Sequence, residues 1–247
     1  QEAHWMATEK NMEKKREIMT STSSFEIMRE EGAIYIDKTA LIHRLVIGAD
    51  KAFFLARPRR FGKSLLISTL QAYFEGRREL FEGLAIADLE QKWEKYPVLS
   101  FDMSNMKDMG VERLEESLDL MLRQYEEIYG VEPSAKHPAT RLHALIQRAR
   151  AQTGKRIVIL IDEYDTPLLD NLTDEPTLHT LRNKLRDFYG VLKQKNGDLR
   201  FVFITGITRF SQLSIFSAMS NLVELSLDSK YASICGITKE ELITSLK

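Results

Sequence analysis

Two hydrophobic patterns alternate along the chain. Apolar-rich runs of strand length occur at Ala52–Ala56, Val98–Met103, Arg156–Ile161, Arg200–Thr205 and Val223–Leu227. Between them, apolar residues recur at helical spacing. Leu114, Leu118, Met121, Tyr125 and Ile128 predict an amphipathic helix over Val111–Tyr129. Leu142, Leu145, Ile146 and Ala149 mark another, which Gly154 ends. Leu178, Leu181, Leu185, Phe188 and Leu192 form the stripe of a third, opened by Thr173–Pro176. Leu41, Ile42 and Leu45 share a face of a helix from Lys38 to about Ile47, with Asp37 placed to cap it. Ala33–Ile36 predicts a short strand just before it. Arg156–Ile161 is almost uninterrupted in its apolar character, as a strand buried on both faces must be. Strands alternating with helices indicate an α/β protein: a mainly parallel sheet between two helical layers.

The ends of the chain differ from its middle. Residues 1–24 are polar and charged and predict an arm rather than a packed element. The first residue is not methionine, which reads as a chain clipped from something longer. Thr238 and Glu241 have capping-box spacing, and Lys247 follows barely two turns later. Residues 25–237 are therefore expected to form the core, and 238–247 the start of a C-terminal helix or lid.

Composition narrows the classes. The chain has 247 residues, 35 basic and 36 acidic, for a net charge of −1. No general polyanion-binding surface is indicated, and nothing marks a base-reading motif or an aromatic platform for nucleic acid. Cys235 is the single cysteine, so neither an intrachain disulfide nor a Cys-cluster zinc site can form. The five histidines sit at no metal spacing. No apolar run reaches the length of a membrane span, and no signal-peptide core is present; a reducing cytoplasm is the expected location.

The chemistry concentrates at two strand ends. Ala52–Ala56 leads through Arg57-Pro58-Arg59-Arg60-Phe61 into Gly62-Lys63-Ser64-Leu65 and a helix-like stretch. Strand, turn, Gly-Lys-Ser, helix is the context of a phosphate-binding loop. Amides at a helix start lack intrahelical partners, and the macrodipole adds positive charge there. Lys63 can neutralise β- and γ-phosphates, and Ser64 can ligate Mg²⁺. The full motif asks for glycine where Arg57 stands. Arg57, Arg59 and Arg60 read as phosphate contacts, as a partner's carboxylate site, or as solvated charge.

The second strand end is Arg156–Ile161 delivering Asp162-Glu163-Tyr164-Asp165. Asp162 is placed to hold Mg²⁺ and Glu163 to polarise an attacking water. Asp165 either extends the acidic cluster or caps the segment opening at Thr166-Pro167, and the cap is the favoured reading. Arg200–Thr205 ends in Thr205-Gly206-Ile207-Thr208-Arg209, where Thr205 or Arg209 could sense a γ-phosphate. Phe210 and 211–220 read as a loop leading into a short helix. Asp37 and Lys38 read as a cap and surface charge, or as neighbours of the nucleotide base. The spatial expectation is that Lys63 and the Asp162–Glu163 pair lie on neighbouring parallel strands and face one polyphosphate pocket. A metal-dependent nuclease built on Asp162, Glu163 and Asp165 is a weaker reading, because no lysine stands near those carboxylates on an adjoining strand.

Tyr35-Ile-Asp-Lys-Thr39, Arg57 through Leu65, Tyr73-Phe-Glu-Gly76, Leu80-Phe-Glu-Gly-Leu84, Asp162 through Pro167 and Thr205 through Arg209 together resemble the predicted AAA-ATPase-like family. In that family an arginine in place of the first loop glycine is usual. The resemblance implies a P-loop NTPase fold of the additional-strand class, with ATP and Mg²⁺ as cofactors. It also implies a further C-terminal domain similar to restriction-endonuclease-like nucleases. Thr205–Arg209 is similar to the Thr-Thr-Arg segment of switch-like signalling ATPases, which suggests a regulatory switch with a protein partner or homo-oligomer. The alternative is a module that binds a nucleotide and never hydrolyses it.

Overall fold

A computed structural model describes residues 19, 21–106, 110–169, 171–208 and 221–245. Arg209, Phe210 and the expected short helix in 211–220 lie outside them. Five strands, β1 (Ala52–Ala56), β2 (Val98–Asp102), β3 (Ile157–Asp162), β4 (Leu199–Gly206) and β5 (Leu222–Glu224), form one sheet in the order β2-β3-β4-β1-β5. All four pairings are parallel. The helices are α1 (Phe25–Glu30), α2 (Thr39–Ile47), α3 (Lys63–Phe74), α4 (Ala85–Leu89), α5 (Val111–Tyr129), α6 (Pro138–Thr153), α7 (Thr166–Leu169), α8 (Glu175–Gln194) and α9 (Lys239–Ser245).

Side chains alternate between the sheet's two faces, and each face has its own core. Phe54, Ile157, Ile159, Ile161 and Val202 pack with α5, α6 and α8. Phe53, Leu55, Val158, Leu160, Phe201 and Phe203 pack with α2 and α3. Strands buried on both faces have little room for polar side chains, which is why their sequences read as continuous apolar runs. This is the three-layer αβα architecture of P-loop NTPases.

The strand order corrects one expectation. β4 lies between β1 and β3, so the two motif-bearing strands are not neighbours. The inserted strand carries Thr205 one residue before its end, which puts that residue between the two motifs.

The β3–β4 register carries an irregularity. Ile157 faces Leu199, but Val158 already faces Phe201, so β4 holds one residue more, Arg200. Arg200 anchors there by donating to the Val46 carbonyl at 3.0 Å, with its guanidinium over the Phe74 and Tyr96 rings.

Other differences are local. Ala33–Ile36 forms no strand and joins no sheet among the described residues. Asp37 sits one residue before the cap position of α2, accepting from the Thr39 amide at 2.8 Å and the Ala85 amide at 2.7 Å. On α5 the buried stripe is Leu114, Leu118, Leu122 and Glu126, while Ile128 is 63% exposed. Glu126 is tolerated inside because Arg141 of α6 donates to both its carboxylate oxygens.

Candidate functional site

β1 ends in the turn 57–62, and α3 begins at Lys63. Gly62 caps it in the left-handed region at φ 83°. A helix start leaves the amides of its first turn without intrahelical carbonyls, so the α3 terminus offers donors that an anion could accept. The Lys63 side chain folds back over the turn. Its ammonium donates to the carbonyls of Arg57 and Pro58, both at 3.0 Å, and lies 3.5 Å from Glu163 Oε1. An ammonium has three donors; two hold the turn, which keeps Lys63 in place while its charge faces the cavity.

β3 and β4 close the site from the other side. Asp162 and Thr205 lie level across the sheet, and the Thr205 hydroxyl donates to Asp162 Oδ1. The same hydroxyl accepts from the Glu163 amide at 3.1 Å. Ser64 stands beside Asp162 in the first turn of α3. Burial pushes the Asp162 carboxyl above the usual range, the Ser64 and Thr205 hydroxyls work against it, and the charges of Asp102 and Glu163 add to the rise. A desolvated carboxylate beside a serine hydroxyl is an oxygen donor pair suited to a hard divalent cation. The residues present therefore fit Mg²⁺ and a polyphosphate.

Glu163 has φ 52°. Among the described residues, three non-glycine residues have positive φ: Arg60, Trp93 and Glu163. Two of the three flank Lys63, and strain of this kind is found where geometry serves a site. Both Glu163 oxygens are engaged, Oε1 by Lys63 and Oε2 by the Thr166 hydroxyl at 3.1 Å.

Lys63, Ser64, Asp162, Glu163 and Thr205 thus converge at one end of the sheet. Lys63, Ser64 and Glu163 line a cavity of about 990 Å³ together with Arg60, Phe61, Gly62 and Leu65, while Asp162 and Thr205 are buried behind it. Pro58 and Arg59 are exposed on the turn. Arg57 turns away, donating to the carbonyls of Ala56 and Ser226. Its guanidinium braces the turn against the chain after β5. Asp165 does not cap α7 with its side chain. Its carboxylate accepts from the amides of Ile207 and Thr208 and the Thr208 hydroxyl instead.

Sequence reasoning missed the contribution of the C-terminal segment. Ile234, Cys235, Gly236, Ile237 and Leu242 line the cavity beside the turn. The capping box forms, with Glu241 Oε2 accepting from the Thr238 amide at 2.8 Å. Glu241 also accepts from Lys38 at 2.6 Å, and Lys38 is only 8% exposed. Among the described residues no helix is long and apolar enough to cross a membrane, and no group of His, Cys, Asp or Glu could by itself hold a metal.

Comparison of the sequence with known proteins gives the family. The chain is 34% identical over 229 residues to an uncharacterized protein from the vnfD 5' region of Azotobacter chroococcum mcd 1. The match covers 92% of this chain and 44% of that relative, so the chain spans less than half the relative's length. The profile described as "Predicted AAA-ATPase" matches residues 20–216, most of the chain. With its sheet order and the convergence of its motifs, the chain belongs to the predicted AAA-ATPase family.

Proposed function

We propose that the chain is an ATP-binding, Mg²⁺-dependent ATPase domain that cleaves the β–γ phosphoanhydride and works as a regulatory switch. The observation that carries this reading is the 3.5 Å approach of Lys63 to Glu163 together with the hydrogen bonds that the Thr205 hydroxyl makes to Asp162 and to the Glu163 amide. It joins residues about a hundred positions apart, all of types that phosphoryl transfer uses.

Each residue has a task. Lys63 and the α3 amides hold the phosphates. Ser64 and Asp162 supply oxygen ligands for Mg²⁺, which when bound offsets phosphate charge. Glu163 takes the proton of the attacking water as the new P–O bond forms and the bridging Pγ–O bond breaks, releasing ADP and phosphate. Thr205, hydrogen-bonded to the Asp162 carboxylate and to the Glu163 backbone amide, fixes the end of β3 from which both carboxylates project. Arg209, three residues beyond Gly206, would bring charge toward the γ-phosphate.

Lys63→Ala should abolish the thermal stabilisation that ATP gives in the presence of Mg²⁺; unchanged stabilisation would overturn the site. A second reading, nucleotide binding without turnover, is favoured by one observation: both Glu163 oxygens are engaged by neighbours. Steady-state phosphate release from the full-length protein separates the two.

A further inference from the structure

We propose that Asp102, at the end of β2, is a further carboxylate of the metal site: it accepts from the water shell of the divalent cation that Ser64 and Asp162 would hold, and so positions that cation. This rests on the nucleotide reading above and adds to it a residue from a strand that carries neither motif.

Register brings Asp102 there. β2 pairs with β3 in parallel, with Val98 opposite Val158 and, four residues later, Asp102 opposite Asp162. Val98 and Val158 both belong to the core shared with α2 and α3. Side chains alternate along a strand, so residues four further on return to the same face. Asp102 and Asp162 therefore stand side by side on the α3 face of the sheet, their backbones about 4.8 Å apart, the spacing of neighbouring strands.

The carboxylates of the site differ in what they have left to offer. Asp162 is 3% exposed and bonded to Thr205, and both Glu163 oxygens are engaged. Asp102 is exposed. Its Oδ1 accepts from the Ser104 amide at 2.8 Å, and its Oδ2 has no partner among the described residues. Nor does Asp102 make an ion pair with any described residue, although its charge reaches Asp162 and adds to the rise of that carboxyl. Two like charges one strand apart, one of them buried, repel in the ligand-free chain, and a cation relieves that repulsion. Mg²⁺ takes only one or two carboxylates directly and keeps several waters. Those waters need acceptors, and an exposed carboxylate with an open oxygen is one.

The test is calorimetric titration of the intact chain with β,γ-imido-ATP, a non-hydrolysable analogue, once in Mg²⁺ and once in EDTA. The ratio of the two affinities is the advantage that the cation gives. Asp102→Asn keeps an acceptor for the Ser104 amide and removes the charge; it should cut the ratio by about tenfold. Affinity in EDTA should stay the same or tighten, because a negative charge has left the site. Asp102→Glu keeps the charge and should retain most of the ratio. The position is exposed, so ligand-free melting temperatures should stay within about 2 °C of the parent chain. Ser64→Ala should also lower the ratio. An unchanged or increased ratio in Asp102→Asn, with Ser64→Ala lowering it, makes Asp102 a repelling neighbour only and overturns the inference while leaving the metal site intact. A ratio that neither Ser64→Ala nor Asp162→Asn lowers, or an affinity that ignores Lys63→Ala, overturns the nucleotide reading beneath it.

Discussion

Asp165 holds Thr208 at two points, accepting from its amide at 2.7 Å and from its hydroxyl at 2.6 Å. The carboxylate is fully buried and also accepts from the Ile207 amide at 3.0 Å. It therefore clamps the turn after β3 to the exit of β4. Asp165→Ala leaves these donors unpaired and should lower unfolding free energy by about 2–3 kcal/mol in urea titration. Thr208→Val removes only the hydroxyl and should cost about 1 kcal/mol. Equal losses in the two variants would show that the amides do not depend on Asp165.

Glu163→Gln keeps an acceptor for the Thr166 hydroxyl and removes the charge that faces Lys63. Nucleotide affinity should change by less than about threefold, while phosphate release falls by about 10²–10⁴. Turnover at the original rate would remove Glu163 from the role of base.

Cys235 is the next case. Burial pushes its thiol up to about 12, against the opposing charges of Arg57, Lys63 and Lys38. At pH 8 only about one thiol in ten thousand is then ionised, and the thiolate is the reactive form. Alkylation of the folded chain by iodoacetamide should be at least about 100-fold slower than in denaturant. The linkage has a definite sign. The folded state keeps its proton where the unfolded state loses it, so this stability is complete below about pH 9 and is lost as pH rises toward 12. Cys235→Ala should flatten part of that alkaline decline in melting temperature.

Gly206 ends β4 against the Tyr164 ring. A Cβ on Gly206 would lie 2.4 Å from Tyr164 Cε1 and 3.0 Å from Asp165 Oδ1. Tyr164 is itself fully buried and meets Phe54 edge-on, so it cannot swing away. Gly206→Ala should therefore destabilise the fold by about 1–3 kcal/mol, read from urea midpoints.

Legibility followed the physics of each signal. The β1–turn–α3 unit and the β3 acidic end could be read because a short stretch carries the whole pattern. The stripes of α6 and α8 could be read because periodicity is local. Strand order is different: nothing in Ala52–Ala56 or Ile157–Asp162 says that β4 inserts between them. Ala33–Ile36 has strand composition but lines the cavity and packs around Phe25 rather than pairing. α1 and α4 are too short to show a repeat. Asp165 offered two local roles, and its partners came from a different strand. The Lys38–Glu241 pair spans 203 positions, and no single-sequence signal connects such charges.

The extra residue in β4 reaches further than its own position. Were the irregularity absent and Arg200 paired in line with Val158, Asp162 would stand opposite Ile204, because every later pairing with β3 would move by one. Alternate side chains point to opposite faces, so the Thr205 hydroxyl would then miss Asp162 entirely. A miscount at the foot of a strand thus decides which atom stands at its head. A molecule that aligned these strands without the offset could bury a comparable core and still be chemically mute.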